Sequence, residues 1–231
     1  MTISTQTQKI RLHGFPISNY YNRIKMALQL KGLSFEEVRT SPSKESEYLK
    51  INPLGVIPTL EIDGVFFAET HPTIEYLDEA YPDTTPLLPQ DAIDRHRVRQ
   101  IVNYIDMYID RPLRTLRDFQ DKYSGASDAL IEMTRTELEK GIESLNRTVR
   151  FKPYIAGNEI SAADCAAYCT LPWFAYISEQ YLGENLLHKI QGFDEYKAFL
   201  DQNNDFVAIH TAAAKAIKLL ERAKKFAGGK L

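Results

Sequence analysis

Apolar and polar positions alternate from Lys9 onward, with Ile10 and Leu12 on one side, a two-residue period that predicts a β-strand. The period then changes. Tyr20, Ile24, Ala27 and Leu28 recur at helical spacing as far as Gly32, a residue suited to the left-handed position just past a helix end. Ser34 to Arg39 reads as a second strand, and a Ser/Pro/Lys stretch leads into a short, irregular helix through Tyr48 and Leu49 to Asn52. Residues 59–62 and 65–67 are β-rich runs separated by Asp63 and Gly64, the pair that favours a two-residue hairpin turn. A further helix is predicted from about Pro72 to Ala80, ending before Tyr81 and Pro82.

This βαβ-α-ββα order is that of a thioredoxin-like α/β domain, placed at residues 9–82. Residues 83–91, Asp-Thr-Thr-Pro-Leu-Leu-Pro-Gln-Asp, have the proline-rich composition of a linker. Beyond it no strand pattern occurs. Amphipathic stretches centred near 93–121, 127–149, 162–181 and 206–226 predict an all-α domain over residues 92–231. Residues 1–8 are polar and aperiodic, and a frayed N-terminus is expected there.

Composition narrows the function classes. The 231 residues carry a formal net charge of -3 and a pI near 6.0, without the concentrated positive field that a nucleic-acid surface needs. No apolar run approaches the roughly 18 residues of a membrane span, and no charged and then apolar leader pattern opens the chain. A cytoplasmic protein with a small-molecule partner is expected, with no nucleic acid, no membrane and no metal. Cys165 and Cys169 fall four apart on a predicted helix, which suits neither a disulfide framework nor a redox pair, so both are expected to be ordinary buried residues.

Pro58 stands at the mouth of the hairpin's first strand, where a residue without an N–H belongs. The Ile57–Pro58 bond is expected to be cis, turning the Ile57 N–H and C=O outward as a template for another short extended chain. Four segments then share a family pattern: Ser18-Asn-Tyr-Tyr-Asn-Arg-Ile-Lys-Met-Ala-Leu28 with Lys31-Gly32, Asn52-Pro-Leu-Gly-Val-Ile-Pro58, Glu69-Thr-His-Pro-Thr-Ile-Glu-Tyr-Leu77, and Gly157-Asn-Glu-Ile-Ser-Ala-Ala-Asp164. Together and in this order they resemble the cytosolic glutathione transferases, in their serine-type, bacterial, phi- or zeta-like branch. The resemblance implies glutathione as co-substrate, a small electrophile as second substrate, a role in detoxification and a homodimer.

It also implies roles for particular residues. Ser18 lies between the first strand and the first helix, where a hydroxyl can accept from the helix N-terminus and donate to a ligand atom above it. By resemblance it is the catalytic donor to the glutathione thiolate, with Asn19 as the alternative donor; an ordinary N-cap serine fits the same position. A free thiol titrates near pKa 8.5, so lowering it by about two units requires roughly 2.7 kcal/mol of preferential thiolate stabilisation. A hydrogen bond to a charged group supplies about 1.5 to 3 kcal/mol and a helix N-terminus about 0.3 to 1. A serine donor is therefore sufficient.

Glu69 and Thr70 precede a helix whose free N–H groups form an anion site. By resemblance Thr70 holds the γ-glutamyl carboxylate and Glu69 faces the α-ammonium, while a plain helix cap fits the same pair. Lys44 is implied for the glycyl carboxylate, or is a solvated loop lysine. Val56 stands where many relatives carry glutamine, which leaves the cysteinyl segment to the backbone of Ile57, with Pro58 beside it in the implied glutathione site. Tyr108 and Arg111 belong to a row of Tyr104, Arg114 and Arg117 that suits either an electrophile pocket or a solvated basic face. Ser161 to Asp164 reads as a capping box with a structural role. The basic residues Arg222, Lys224 and Lys225 read as a solvated C-terminus. The expected function is that of a glutathione transferase that activates the thiolate for attack on an electrophile. A glutathione-dependent isomerase or reductase, or a non-catalytic binding module of the same fold, is the alternative.

Overall fold

Alternate side chains of β1 (Ile10–Gly14) enter a core and make this strand the centre of the first unit. The computed structural model describes residues 8–226. The sheet has the order β2-β1-β3-β4. β2 (Glu36–Arg39) runs parallel to β1, a pairing that needs a crossover, and helix α1 (Asn19–Leu30) provides it. β3 (Thr59–Ile62) is antiparallel to β1, and β4 (Val65–Phe67) is antiparallel to β3. The turn between them holds Asp63 and Gly64 at φ 49° and 85°, the positive pair that a twisted two-residue hairpin requires.

Helix α1 buries Ile24, Ala27 and Leu28, as the spacing predicts, but takes Tyr21 into the core in place of Tyr20, which stays half-buried. It ends in a Schellman motif: the Gly32 N–H donates to the Gln29 carbonyl and the Leu33 N–H to the Leu28 carbonyl, both at 3.0 Å, with Gly32 at φ 64°. Helix α2 (Ser46–Ile51) buries no residue, which accounts for its irregular sequence pattern. Helix α3 (Thr70–Ala80) begins two residues before the predicted start. Leu12, Leu28, Leu60 and Leu77 are fully enclosed, so strands and helices share one core.

The first unit runs to Pro86 and takes up the chain again at Asp205; the second is Leu87–Asn204. The boundary thus falls inside the stretch read as a linker, while the last helix, α9 (Asn204–Phe226), groups with the first unit rather than with the helical domain given as 92–231. An amphipathic pattern tells that a helix buries one face, not which body it buries it against. The frayed start expected at residues 1–8 lies, apart from Gln8, outside the described residues, as do the side chains of Lys224 and Lys225.

The second unit contains helices α4 (Ala92–Asn103), α5 (Arg111–Tyr123), α6 (Asp128–Thr148), α7 (Ala162–Leu182) and α8 (Phe193–Leu200). The single helix read over 93–121 is interrupted by a π-helical segment, Tyr104–Asp110. Gly141 of α6 makes room for the widened backbone: a Cβ there would come within 2.4 Å of the Tyr108 carbonyl oxygen. Helix α8 has too few turns to display a period, and it inserts Phe193, Tyr196 and Leu200 into the core. Cys165 and Cys169 are buried and not joined in a disulfide, as expected.

At the start of α7 the capping box is present and extends beyond the helix. The buried Asp164 carboxylate accepts from the Ser161 N–H (2.8 Å) and hydroxyl (2.9 Å), from the Ile155 N–H (2.9 Å) and from the Tyr196 hydroxyl (2.9 Å).

Candidate functional site

Strand register decides which loops meet. β1 and β2 are parallel and end together, Gly14 opposite Arg39. β3 is antiparallel to β1 with His13 opposite Thr59, so its beginning lies at that same end. β4 is antiparallel to β3 with Leu60 opposite Phe67, so its exit lies there too. The segments carrying Ser18, Lys44, Ile57–Pro58 and Glu69–Thr70 therefore all leave or enter the sheet at one end, although up to about fifty residues of chain separate them. A Cβ placed on Gly14 would lie 3.5 Å from that of Ile57 and 2.7 Å from the Tyr21 ring, which makes this crossing point too close for a side chain.

Ser18 is the N-cap of α1. Its N–H closes a turn onto the Phe15 carbonyl at 3.2 Å, and its hydroxyl oxygen accepts from the Tyr21 N–H at 3.2 Å. That bond uses an oxygen lone pair and leaves the hydroxyl proton to donate elsewhere. Ser18 is half-buried, whereas Asn19 is buried. Asn22 steadies the turn by donating from Nδ2 to the Pro16 carbonyl at 2.9 Å. The nearby Tyr21 phenol is fully enclosed and donates to Glu37; burial, then that hydrogen bond, push its pKa far up. Tyr21 is thus committed to the core.

The loop before Pro58 is rigid for reasons that the sequence motif only hints at. Asn52 is buried; its Nδ2 donates to the Thr59 hydroxyl (3.1 Å) and the Pro58 carbonyl (3.3 Å), and its Oδ1 accepts from the Leu54 N–H (3.2 Å). Gly55, at φ 68°, packs so tightly that a Cβ would meet the Ser43 carbonyl oxygen at 2.3 Å. The Tyr48 hydroxyl donates to the Val56 carbonyl at 2.8 Å. The Ile57–Pro58 bond is cis, and among the described residues the Ile57 N–H and C=O take no hydrogen-bond partner. Lys44 is exposed and donates to the Leu54 carbonyl at 2.5 Å, which lays its chain along this loop.

The third element is the start of α3. Glu69 is its N-cap at φ 66°, ψ 111°, with no side-chain capping bond. Positive φ is uncommon for a residue with a Cβ, and such positions cost on the order of 1–3 kcal/mol. The exposed carboxylate is thereby not spent on the helix end. Pro72 has no N–H to offer, so the N–H and hydroxyl of Thr70 are prominent among the donors at this terminus.

Tyr108 and Arg111 lie in the second unit. Tyr108 is exposed and meets Tyr104 edge to face at 6.1 Å. In the arginine row, Arg114 pairs with Asp110 at 3.0 Å and Arg117 with Asp118 at 2.5 Å, while Arg111 has no ion-pair partner among the described residues.

Two residues that hold the site were not singled out in the sequence. Asn52 was visible as the first residue of the Asn-Pro motif, but its role as a buried triple anchor depends on β3. Thr73 was hidden, since a threonine four residues after a helix cap is an ordinary sight, and only its bonds to the Glu69 backbone distinguish it.

Among the described residues no group of three or more His, Cys, Asp or Glu side chains is placed to hold a metal, and no helix is long and apolar enough to cross a membrane. The sheet, its cis-proline loop and the uncapped N-terminus of α3, followed in the chain by a helical unit, define a thioredoxin-type protein with an added all-α unit. The Glutathione S-transferase N-terminal domain family matches residues 12–85 and the C-terminal domain family matches residues 128–202. A glutathione S-transferase of Pseudomonas putida is 38% identical over 157 residues, 67% of this chain and 70% of that protein. A maleylacetoacetate isomerase of Dictyostelium discoideum is 31% identical over 152 residues, 62% of this chain and 68% of its own length. Rice GST1, solved in complex with glutathione, superposes with a TM-score of 0.75 at 21% identity, covering 96% of this chain and 98% of that one, a likeness of fold. The chain belongs to the glutathione S-transferase family.

Proposed function

We propose that the protein binds glutathione across the converging end of the first unit's sheet and joins it through its sulfur to a small electrophile, with departure of the electrophile's leaving group or addition across its activated double bond. The observation that carries this reading is the convergence of a serine-capped helix, a backbone at Ile57 without a hydrogen-bond partner among the described residues, and the free N-terminus of α3. The first two match the thiol and the backbone of the cysteinyl residue, and the third matches the γ-glutamyl end. Thr70 binds the γ-glutamyl carboxylate and Glu69 the α-ammonium; Ile57, with Val56 and Pro58 shaping the loop, pairs with the cysteinyl backbone; Lys44 attracts the glycyl carboxylate. The Ser18 hydroxyl donates to the thiolate, with Asn19 as the alternative donor. In the second unit, Tyr108 and Arg111, the latter without an ion-pair partner among the described residues, are the candidates for binding the electrophile. A cytoplasmic location and a role in detoxification go with this reading.

The similarity to a maleylacetoacetate isomerase favours a second reading, glutathione-dependent isomerisation, in which the thiolate adds and later leaves, so that glutathione is regenerated. The test is calorimetric titration with S-hexylglutathione, followed by a panel of chlorodinitrobenzene, cumene hydroperoxide, a mixed disulfide and a maleyl dicarboxylate, each with glutathione. Conjugate formation supports transfer, isomerised product without loss of glutathione supports the second reading, and absence of glutathione binding overturns both.

The protein is further expected to be a homodimer. Leu54, Val56, Val65 and Phe66 expose large apolar surfaces on the first unit, and two-fold dimers are the commonest soluble oligomers. Light scattering should report twice the 26.5 kDa of one chain across micromolar concentrations, and a monomer there would refute it.

A further inference from the structure

We infer that Thr73 is a positioning residue for glutathione: it holds the backbone of Glu69 in the conformation that presents the γ-glutamyl site, without touching the ligand. The inference rests on the reading above, in which Glu69 and Thr70 bind that end of the tripeptide. Glu69 is a residue with a Cβ at φ 66°, and such a conformation persists only where the surroundings over-determine it. Thr73 supplies that determination. Its N–H donates to the Glu69 carbonyl at 3.0 Å, and its hydroxyl donates to the same carbonyl at 2.8 Å. A carbonyl oxygen has two lone pairs, and Thr73 therefore engages both. The hydroxyl also lies 3.3 Å from the Ala68 carbonyl, so it bridges the two peptides on either side of the Glu69 Cα.

The environment makes these bonds count. Thr73 is 1% exposed, so water cannot replace the hydroxyl once it is removed. On the far side of the junction, Phe67 stacks on Tyr76 with ring centroids 4.2 Å apart, which fixes the end of β4 against α3. Chain entry and helix are thus both held, and the remaining freedom is rotation of the Ala68–Glu69 and Glu69–Thr70 peptides. The Thr73 hydroxyl is the group that removes it. Losing it would let Glu69 relax toward negative φ and swing its carboxylate and the Thr70 N–H away from the ligand.

The effect belongs to binding rather than to the reacting sulfur. Thr73→Val keeps the shape and deletes the hydroxyl; Thr73→Ser restores it. At a temperature well below unfolding, Thr73→Val is expected to raise the KM for glutathione and the Kd for S-hexylglutathione about five- to tenfold, the size of one lost hydrogen bond. The kcat at saturating glutathione and the pKa of the bound thiol should stay within about twofold and a few tenths of a unit, because a uniform binding loss leaves the thiolate contact intact. Thr73→Ser should return both constants to near wild type. A lowered melting temperature with unchanged KM and Kd in Thr73→Val would assign the hydroxyl to stability alone and overturn the inference. A rise that Thr73→Ser fails to reverse would overturn it as well, since the cause would then be packing. Failure of the wild-type protein itself to bind S-hexylglutathione would instead sink the glutathione reading, and the inference with it.

Discussion

Ser18→Ala should lose about ten- to a hundredfold in kcat/KM at neutral pH, the equivalent of removing a hydrogen bond to a charged group worth about 1.5 to 3 kcal/mol. The geometry makes the hydroxyl expendable to the fold. It accepts one bond, from the Tyr21 N–H, and its loss as an N-cap costs about 0.5 to 2 kcal/mol. Its proton is not used by that bond, and in the proposed reading it is what donates to the thiolate. The apparent pKa of bound glutathione should therefore rise toward that of the free thiol, while affinity for S-hexylglutathione, which has no thiolate, changes little. Ultraviolet titration of the bound thiolate checks the first and calorimetry the second. Unchanged activity in Ser18→Ala together with a collapse in Asn19→Ala would transfer the role to Asn19. No change in either would leave the helix terminus alone as the source of activation.

The largest stability effect is expected at Asp164, far from this chemistry in the sequence and in the second unit. A cap alone would put its loss at about 0.5 to 2 kcal/mol. Here one wholly buried carboxylate serves the Ile155 N–H, the Ser161 N–H and hydroxyl, and the Tyr196 hydroxyl. Asp164→Ala orphans these donors, each at about 1 to 3 kcal/mol before relaxation. A total of about 3 to 5 kcal/mol follows, or a fall in Tm of roughly 6 to 20 °C for a chain of this size. Calorimetric melting decides it; a loss below about 1 kcal/mol would mean that the four bonds contribute no more than a surface cap.

The same carboxyl sets a pH dependence. Burial pushes its pKa up to about 6, against the four donors that pull it down. The folded value lies above the unfolded one, so between about pH 4 and 6 the native state holds a proton that the unfolded chain releases, and stability from this group is lost as pH rises through 6. The stability of the wild-type protein relative to Asp164→Asn should accordingly fall by up to about 3 kcal/mol from pH 4 to pH 7. A difference that stays flat, or grows, over that range would contradict it.

What the sequence determined by itself is local. The alternation at Ile10 and Leu12, the helical spacing from Tyr20 to Leu28, the Gly32 terminus, the Asp63–Gly64 hairpin and the Ser161–Asp164 box each depend on residues within a few positions of one another, where backbone sterics and capping act directly. Proline at position 58 belongs with them, since its missing N–H constrains the strand wherever the strand lies. The tertiary structure decided everything that needs a partner distant in the chain. Asn52 becomes an anchor only because β3 brings Thr59 beside it, Asp164 becomes a hub only because Tyr196 packs over it, and the π-helical segment is accommodated only where Gly141 leaves room for the Tyr108 carbonyl. Helix α9 likewise advertises an apolar face but not the unit that receives it. Glu69 shows the division within a single residue: its place before a helix is written in the sequence, whereas its positive φ exists because a buried Thr73 hydroxyl and a stacked Phe67–Tyr76 pair hold both sides of it. Strained conformations of this kind leave no local pattern, because no local preference favours them.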